Sequence, residues 1–289
     1  MGVLDGLKVV EIAALGPAPA CGAMLADLGA DVIVIERPAE NAGMPRPHET
    51  WHRGKRSVVI DLKQPGTADT VLMLVEQADA LIEGMRPGVM ERLGLGPEAC
   101  FARKPSLVYG RLTGWGQEGP LKHVAGHDGN YIALSGALWM GTSPALRPEP
   151  PPGIYGDVAG GALYLATGLL AGVLRARKDG RGQVVDAAMV DGSAHLMNLL
   201  FASAFTRDGL DQLRPKETTV VPVLSPLQAA RHPNNAARGV YTVLDGVLQA
   251  TAAPRFLRTP SSPTAHVPAR GEHTSQVLAA PNSAFEGMH

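Results

Sequence analysis

Short apolar runs alternate with stretches of helical spacing along the first two thirds of this chain, and this alternation limits the folds open to it. The pattern begins with a strand at 8–12, a helix at 16–29 and a strand at 31–36. Such a unit has a right-handed crossover and places both strands parallel in one sheet. Further strands and helices are predicted at 57–61, 64–77, 80–83, 87–93, 107–111, 157–177, 183–186 and 187–205. We therefore predict an α/β fold, a Rossmann-like parallel sheet flanked by helices.

In a sheet of this kind, ligands bind at the carboxyl ends of the strands. The turn that follows the first strand, 13–19, contains Pro17 and Pro19 and has no G-x-G-x-x-G sequence. That glycine pattern is what lets the backbone approach the pyrophosphate of a dinucleotide. Its absence argues against NAD as the ligand.

The composition argues against several other classes of protein. The chain has 289 residues, a net charge of −1 and 18% charged residues, so neither nucleic-acid binding nor membrane-surface attachment is expected. Its two cysteines, Cys21 and Cys100, are too few for a disulfide framework. We see no signal peptide, and the longest apolar run, 162–174, is too short to span a bilayer. A cytoplasmic location is the expectation.

Two helix beginnings carry side chains suited to acid–base chemistry. His127 and Asp128 precede the apolar run 131–134, and Asp157 precedes the run 162–174. The free N–H groups and the dipole of a helix start stabilise an anion nearby, so a His and an Asp at two such ends could form an acid–base pair. In the alternative interpretation, Asp128 and Asp157 are ordinary N-caps and His127 is a loop residue.

The segment 48–52 reads His-Glu-Thr-Trp-His and matches H-E-x-x-H. A zinc protease needs this motif inside a stable helix, with both histidines on one face. Here Pro45 and Pro47 precede the motif, and 53–56 leads directly into a strand. Because the segment is too short and too broken for that helix, we predict no metal site.

Basic residues collect near the predicted strand ends. They are Arg37, Arg53, Lys55, Arg56, Lys63 and Arg86. Two interpretations are equally open: a rim of solvated surface charges, or a phosphate-binding mouth at the carboxyl edge of the sheet.

Seven stretches of sequence, taken in order, carry a likeness to known proteins. They are 4–12 (LDGLKVVEI), 25–33 (LADLGADVI), 54–57 (GKRS), 61–63 (DLK), 86–89 (RPGV), 114–117 (GWGQ) and 180–186 (GRGQVVD). Together they resemble the family III CoA-transferase and racemase superfamily, and within it the α-methylacyl-CoA racemases. Gly126-His127-Asp128, followed by Asn130-Tyr131, is similar to the racemase branch.

The resemblance implies a reaction and roles for individual residues. His127 and Asp157 would be the acid/base pair that racemises a 2-methylacyl-CoA thioester by 1,1-proton transfer. The backbone N–H of Asp128 would stabilise the enolate oxygen. No metal or redox cofactor is implied, because coenzyme A is part of the substrate. The cations implied for the coenzyme A part are Arg37 and Arg86 at the phosphates, Lys63 near the adenine and Arg92 closer to the thioester.

The sequence departs from the family in two places. Pro152-Gly153 stands where the racemases usually have Leu-Asn before the catalytic Asp. Most of the family's small domain is expected to be missing. This predicts a large CoA-binding domain at 1–205, a shortened remnant of the small domain at 206–222, and a C-terminal segment at 223–289 that returns to the large domain. The resemblance also implies a homodimer, which is interlocked in the family.

Three functions are open at this point. The first is the racemase, which the presence of His127 favours. The second is a family III CoA-transferase, in which Asp157 would be the nucleophile and carry the acyl group as an anhydride. The third is a CoA-ester-binding remnant without catalysis, since the small domain helps to close the active site in the family.

Overall fold

Six parallel strands form the central sheet of the computed structural model, which describes residues 2–39, 49–140, 153–198, 222–244, 246–261 and 266–285. The strands are β1 Lys8–Ile12, β2 Asp31–Glu36, β3 Arg56–Val59, β4 Ala80–Glu83, β5 Val108–Thr113 and β6 Gln183–Ala188. Their spatial order is β3-β2-β1-β4-β5-β6, and every neighbouring pair is parallel. The predicted fold class is confirmed.

Helices cover both faces of this sheet. They are α1 Pro17–Asp27, α2 Thr67–Gln77, α3 Val89–Arg92, α4 Pro97–Arg103, α5 Asp128–Leu134, α6 Ala137–Met140, α7 Ile154–Asp179 and α8 Met189–Leu196. Successive strand residues point to opposite faces, so Val9 belongs to one hydrophobic core with Leu165 of α7, while Val10 belongs to the other with Leu74 of α2. The two resulting cores fix the sheet from both sides.

The sheet reverses its winding between β1 and β4, which are neighbours at its centre. From β1 the chain continues outward to β2 and β3, and from β4 it continues outward to β5 and β6. At such a switch point the loops leave toward opposite faces and open a crevice at the carboxyl ends of the strands. This is where the fold provides room for a ligand.

The helix that carries Asp157 begins earlier than the sequence pattern predicts. Its N-cap residue is Gly153, which has φ 73° and so adopts the left-handed conformation that favours glycine. Ile154–Ala162 winds as a wide π-helix, and Leu163–Asp179 continues as an α-helix. Asp157 therefore lies in the first turn, and the interpretation of Asp157 as the N-cap is wrong.

By length and apolar composition alone, α7 could cross a membrane, although 44% of its most apolar window is buried. The sequence pattern predicts no segment of this length because its longest apolar run covers only 162–174. The buried residues Leu165, Leu169 and Val173 belong to the core between α7 and the sheet. Core helices commonly have this composition, because they are apolar on most of their surface.

The chain after α7 is only partly described. β6 extends to Ala188, two residues beyond its predicted end, and the helix predicted at 187–205 is seen as α8, which ends at Leu196. Residues 199–221, which contain nearly all of the predicted small-domain remnant, lie outside the described residues.

Beyond residue 222 the chain forms two short helices and a hairpin. They are α9 Pro226–Arg231, α10 Pro233–Arg238, β7 Tyr241–Leu244 and β8 Val247–Ala250. Neither helix buries a residue. The Arg53 guanidinium, just before β3, donates a hydrogen bond to Gln249 Oε1 in β8.

The tail at 266–285, which includes α11 Thr274–Ala279, lies along the edge strand β3. Ser57 N–H donates to His273 Nδ1 at 3.2 Å, and the His273 N–H donates to the Ser57 carbonyl at 2.9 Å. Val59 N–H donates to Thr274 Oγ1 at 2.9 Å. These bonds satisfy backbone groups that an uncovered edge strand would leave unpaired.

Candidate active site

His127 is the N-cap residue of α5. Its backbone is extended, and its N–H donates to the Oδ1 of Asn130 at 2.9 Å. The imidazole is exposed. Because the first N–H groups of a helix have no partner within it, the N–H of Asp128 is directed outward at this helix start.

Asp128 follows His127 but points away from it into the protein. Its side chain is buried, and its Oδ1 accepts the backbone N–H groups of Gly156 at 2.6 Å and Asp157 at 2.8 Å. Asp128 is thus the first residue of α5 and an acceptor for the first turn of α7. The interpretation of Asp128 as the N-cap of its own helix is wrong, because His127 holds that position.

Asp157 is half-buried in the first turn of α7. The pKa of its carboxyl group is raised to about 6: burial is the largest cause, the Asp128 carboxylate also raises the pKa, and His127 lowers it. A carboxyl with a pKa near 6 exchanges protons readily near neutral pH, whereas an ordinary aspartate is fully ionised there.

His127 and Asp157 line one cavity of about 450 Å³ at the switch point of the sheet. The loop after β1 contributes Gly16 and Pro17, the loop after β4 contributes Arg86, and further lining comes from the residues after β5. The structure therefore brings an imidazole, a carboxyl and a guanidinium to the same space. This is the combination that acid–base chemistry on an anionic ligand requires.

An aromatic pair that the sequence analysis did not single out as functional forms part of the cavity wall. Trp115 and Tyr131 meet edge to face, with ring centroids 4.9 Å apart, and both line the cavity. A Cβ atom on Gly114 would lie 2.1 Å from the Tyr131 ring, and one on Gly126 would lie 2.7 Å from it. The two glycines make room for the ring, but their sequence positions alone do not reveal this.

The indole Nε1 of Trp115 is buried and has no hydrogen-bond partner among the residues that the structure describes. Tyr131 lies close to the charged groups of the cavity. The pKa of its hydroxyl is raised to about 12, mainly by burial and also by Asp157, while Arg86 lowers it. The wall therefore offers an unused donor and a neutral hydroxyl group.

Buried ion pairs lie at the carboxyl edge of the sheet. Lys55 Nζ donates to Glu11 Oε2 at 2.7 Å and to the Pro19 carbonyl at 2.9 Å, and both charged side chains are completely buried. Burial raises the pKa of Glu11, whereas Lys55 lowers it. Since Pro19 lies in the first turn of α1, this pair holds the helix start whose residues Gly16 and Pro17 line the cavity.

A second buried network supports the loop of Arg86. Arg111 Nε lies 2.9 Å from Glu83 Oε1, and Arg111 Nη1 lies 2.8 Å from Glu91 Oε1. Glu83 Oε2 accepts the N–H of Met85 at 2.6 Å, and burial raises the pKa of Glu83 to about 7. The backbone just before Arg86 is therefore tied to Glu83 at the end of β4, and Arg111 links Glu83 to Glu91 in α3 beyond Arg86.

The structure separates the basic residues into two groups. Arg53 and Arg56 are buried and paired with Asp27 and Asp31, as Lys55 is with Glu11. The four cations implied for coenzyme A are all exposed, and no ion pair joins their side chains to any described residue. They are Arg37, Lys63, Arg86 and Arg92. Of these, Arg86 lines the cavity, while the other three lie outside its lining.

The H-E-x-x-H segment does not form the helix that a zinc protease needs. Glu49–His52 is a single short 3-10 turn, and residue 48 lies outside the described residues. Within the described ranges there is no group of three or more His, Cys, Asp or Glu side chains placed to hold a metal ion.

Residues 4–214 match CoA-transferase family III, and the chain belongs to this family. It is similar to the α-methylacyl-CoA racemase of Homo sapiens, with 43% identity over 198 residues that cover 68% of this chain and 51% of that protein. It is also similar to the probable fatty acyl-CoA transferase Rv3272 of Mycobacterium tuberculosis, with 33% identity over 248 residues, 81% of this chain and 62% of that protein.

The chain spans about half the length of the racemase that it matches. Among solved structures, a CAIB/BAIF family protein from Brucella suis superposes with a TM-score of 0.83 at 21% identity, over 96% of this chain and 99% of that one. This structural likeness shows the fold and agrees with the family assignment.

Proposed function

We propose that the chain is a racemase or epimerase that interconverts (R)- and (S)-2-methylacyl-CoA thioesters by 1,1-proton transfer. The observation that carries this proposal is the presence of His127 and Asp157 on one cavity, with Arg86 at the same cavity. The 43% identity with a relative named α-methylacyl-CoA racemase supports it.

The proposed reaction begins with loss of the proton on the α-carbon, which the thioester carbonyl makes weakly acidic. One of the two groups, His127 or Asp157, takes this proton, and the electron pair of the C–H bond moves into the enolate. The other group then returns a proton to the opposite face of the planar carbon. The pair must hold a single proton between its two members, and the raised pKa of Asp157 suits that role.

The enolate oxygen needs a donor that is already in place. The backbone N–H of Asp128 belongs to the first turn of α5, beside His127, and the positive end of the helix dipole reinforces it. The exposed cations would bind the phosphates of coenzyme A, with Arg86 nearest to the reacting groups. No metal or redox cofactor takes part, since coenzyme A belongs to the substrate.

A CoA-transferase is the second candidate. The identity with the probable fatty acyl-CoA transferase Rv3272 and the position of Asp157 on the cavity favour it. In that reaction the Asp157 carboxylate would attack the thioester carbonyl, and coenzyme A would leave as the thiolate. The thiolate would next attack the Asp157 carbonyl of this anhydride, which releases the acyl group as a carboxylate and leaves coenzyme A as a thioester on Asp157. An acceptor carboxylate would then receive the coenzyme A by the same two steps in reverse.

A homodimer, a cytoplasmic location and a role in fatty acid metabolism complete the proposal. The human racemase acts on a CoA thioester by name, and the family name refers to coenzyme A. Sedimentation velocity would test the dimer: a single species with twice the mass of the chain is expected, and a monomer at all concentrations would contradict it.

The central experiment measures the entry of deuterium from heavy water at the α-carbon of a 2-methylacyl-CoA. Exchange in the parent and its loss in His127→Ala and Asp157→Ala would support the racemase. The matched control is His195→Ala, because His195 is an exposed histidine paired with Tyr164 away from the cavity. Absence of exchange, with an acyl group on Asp157 that hydroxylamine or borohydride traps, would favour the transferase.

A further inference from the structure

The Asp128 carboxylate joins the two helix starts that carry the proposed acid–base pair. It extends from the first residue of α5, next to His127, and accepts two N–H groups from the first turn of α7, one of them from Asp157 itself. The side chain is absent from the cavity lining. It therefore lies behind the reacting groups and does not compete for the ligand.

The close approach at this point depends on a glycine. A Cβ atom on Gly156 would lie 3.0 Å from Asp128 Oδ1 and 3.1 Å from the Asp128 carbonyl oxygen. Asp128 is only 6% exposed, and its Oδ2 has no hydrogen-bond partner among the described residues. A buried carboxylate with only one bonded oxygen is costly, and the N-terminus of α7 offsets part of this cost through its dipole.

We propose that the Asp128 side chain is a positioning residue that holds Asp157 opposite His127 by binding the first turn of α7. This inference rests on the proposed proton transfer. It is separate from the role of the Asp128 backbone N–H, since that group belongs to α5 and survives any substitution of the side chain.

The same carboxylate also acts on Asp157 through its charge. The charged and titratable groups around Asp157 are Asp128 and His127 at the start of α5 and the Tyr131 hydroxyl, with Arg86 beside Tyr131. Burial raises the pKa of Asp157 first, and the Asp128 carboxylate adds to this. Removing the negative charge of Asp128 should therefore lower the pKa of Asp157, so that it loses its proton at lower pH.

The test uses two substitutions that separate geometry from charge. Asp128→Asn keeps the shape and an oxygen that accepts the two N–H groups, but it removes the charge. Asp128→Ala removes both. The control is Asp79→Asn, because the Asp79 carboxylate likewise accepts a backbone N–H, from Lys8 at 3.0 Å, beyond the amino end of β4.

The titration of Asp157 is followed by carbon-13 NMR in protein labelled at aspartate carboxyls, with the signal assigned from Asp157→Asn. We expect Asp128→Asn to lower the midpoint by on the order of one pH unit. Asp79→Asn should leave it unchanged. In exchange assays, Asp128→Ala should lower kcat by about 10²-fold at an unchanged KM, since only the alignment of the pair is disturbed.

If the titration midpoint of Asp157 is the same in the parent and in Asp128→Asn, the charge of Asp128 does not raise the pKa of Asp157, and this part of the inference is overturned. An unchanged kcat in a folded Asp128→Ala would overturn the positioning role. If the Ala variant does not fold, the Asn variant decides: a shifted acid limb of its rate profile supports the inference, and an unshifted limb overturns it. A parent that shows no exchange refutes the proposed racemase, whereas the titration still tests the contact between Asp128 and Asp157.

Discussion

Two groups of basic residues near the ends of strands look alike in sequence and differ in structure. Lys55, Arg53 and Arg56 are buried, and each has a carboxylate partner within 2.7 Å. Arg37 and Arg86 are exposed, and no ion pair joins them to any residue in the described part of the chain. A buried charge must be neutralised by the protein itself, whereas an exposed and unpaired charge can bind a ligand.

This difference teaches that basic residues near strand ends serve two purposes, one structural and one open to a ligand. Lys55 holds the start of α1 through Glu11 and the Pro19 carbonyl, and Arg53 and Arg56 bind Asp27 and Asp31 near the amino end of β2. The exposed Arg37 and Arg86 follow the carboxyl ends of β2 and β4. Substitutions in the first group should lower stability, and those in the second should lower affinity. The following experiments use this division.

The largest effect is expected from Lys55→Met, which would leave the Glu11 carboxylate buried without a cation. Breaking a buried ion pair on one side costs about 3–5 kcal/mol of unfolding free energy. Urea denaturation measures this cost, and Lys63→Met, which changes an exposed lysine, should stay within about 0.5 kcal/mol of the parent. Adding Glu11→Leu to Lys55→Met should recover most of the loss. If Lys55→Met and Lys63→Met unfold with the same free energy, the division into stabilising buried cations and exposed cations is wrong.

Gly22→Ala should disturb the same buried pair by crowding. The new Cβ would lie 1.9 Å from Glu11 Oε2 and 3.0 Å from Lys55 Nζ. Overpacking of this kind costs about 1–3 kcal/mol, which the denaturation midpoint would show. Gly129→Ala is the control, because nothing lies within 4 Å of its Cβ position. Alanine in α5 should stabilise the protein by up to about 1 kcal/mol.

Arg86→Ala should weaken binding of coenzyme A without a change in stability. A hydrogen bond to a charged group contributes about 1.5–3 kcal/mol, so the loss of affinity should be at least about tenfold. Isothermal titration calorimetry with free coenzyme A measures it. If Arg86→Ala leaves the affinity for coenzyme A unchanged, Arg86 does not contribute to coenzyme A binding.

The smallest effects are expected from Lys63→Ala and Arg92→Ala. Both residues are exposed and lie outside the lining of the cavity, so each should weaken coenzyme A binding by less than about fivefold. Added salt should reduce the difference in coenzyme A affinity between each variant and the parent, because salt screens exposed charges. A loss larger than that of Arg86→Ala would show that the phosphates lie away from the cavity.

The sheet could be predicted because strand and helix periods are local properties. The sequence pattern predicts β1, β2 and β4 with the bounds that the structure gives them, since their apolar runs end at clear boundaries. The pattern does not predict the start of α7. Asp157 has the residue type of a helix N-cap, but the N-cap residue is Gly153. The family likeness predicts roles for His127 and Asp157, and the structure adds that both line one cavity.

The partners of individual charges could not be predicted. Lys55 donates a hydrogen bond to Glu11, which is 44 residues away in sequence. Asp128 accepts the N–H of Gly156, which is 28 residues away. Their sequence neighbourhoods suggest a surface lysine and a helix cap. Nothing within a few residues of either one indicates a distant partner.

The sequence by itself therefore determined the alternation of strands and helices, the membership of the family and the residue types available for proton transfer. These follow from short-range periodicity and from motifs that can be read along the chain. Only the tertiary structure decided which cations are neutralised and which are free, and that the Asp128 side chain binds α7. The reason is that burial and pairing depend on residues that the fold brings together from distant parts of the chain.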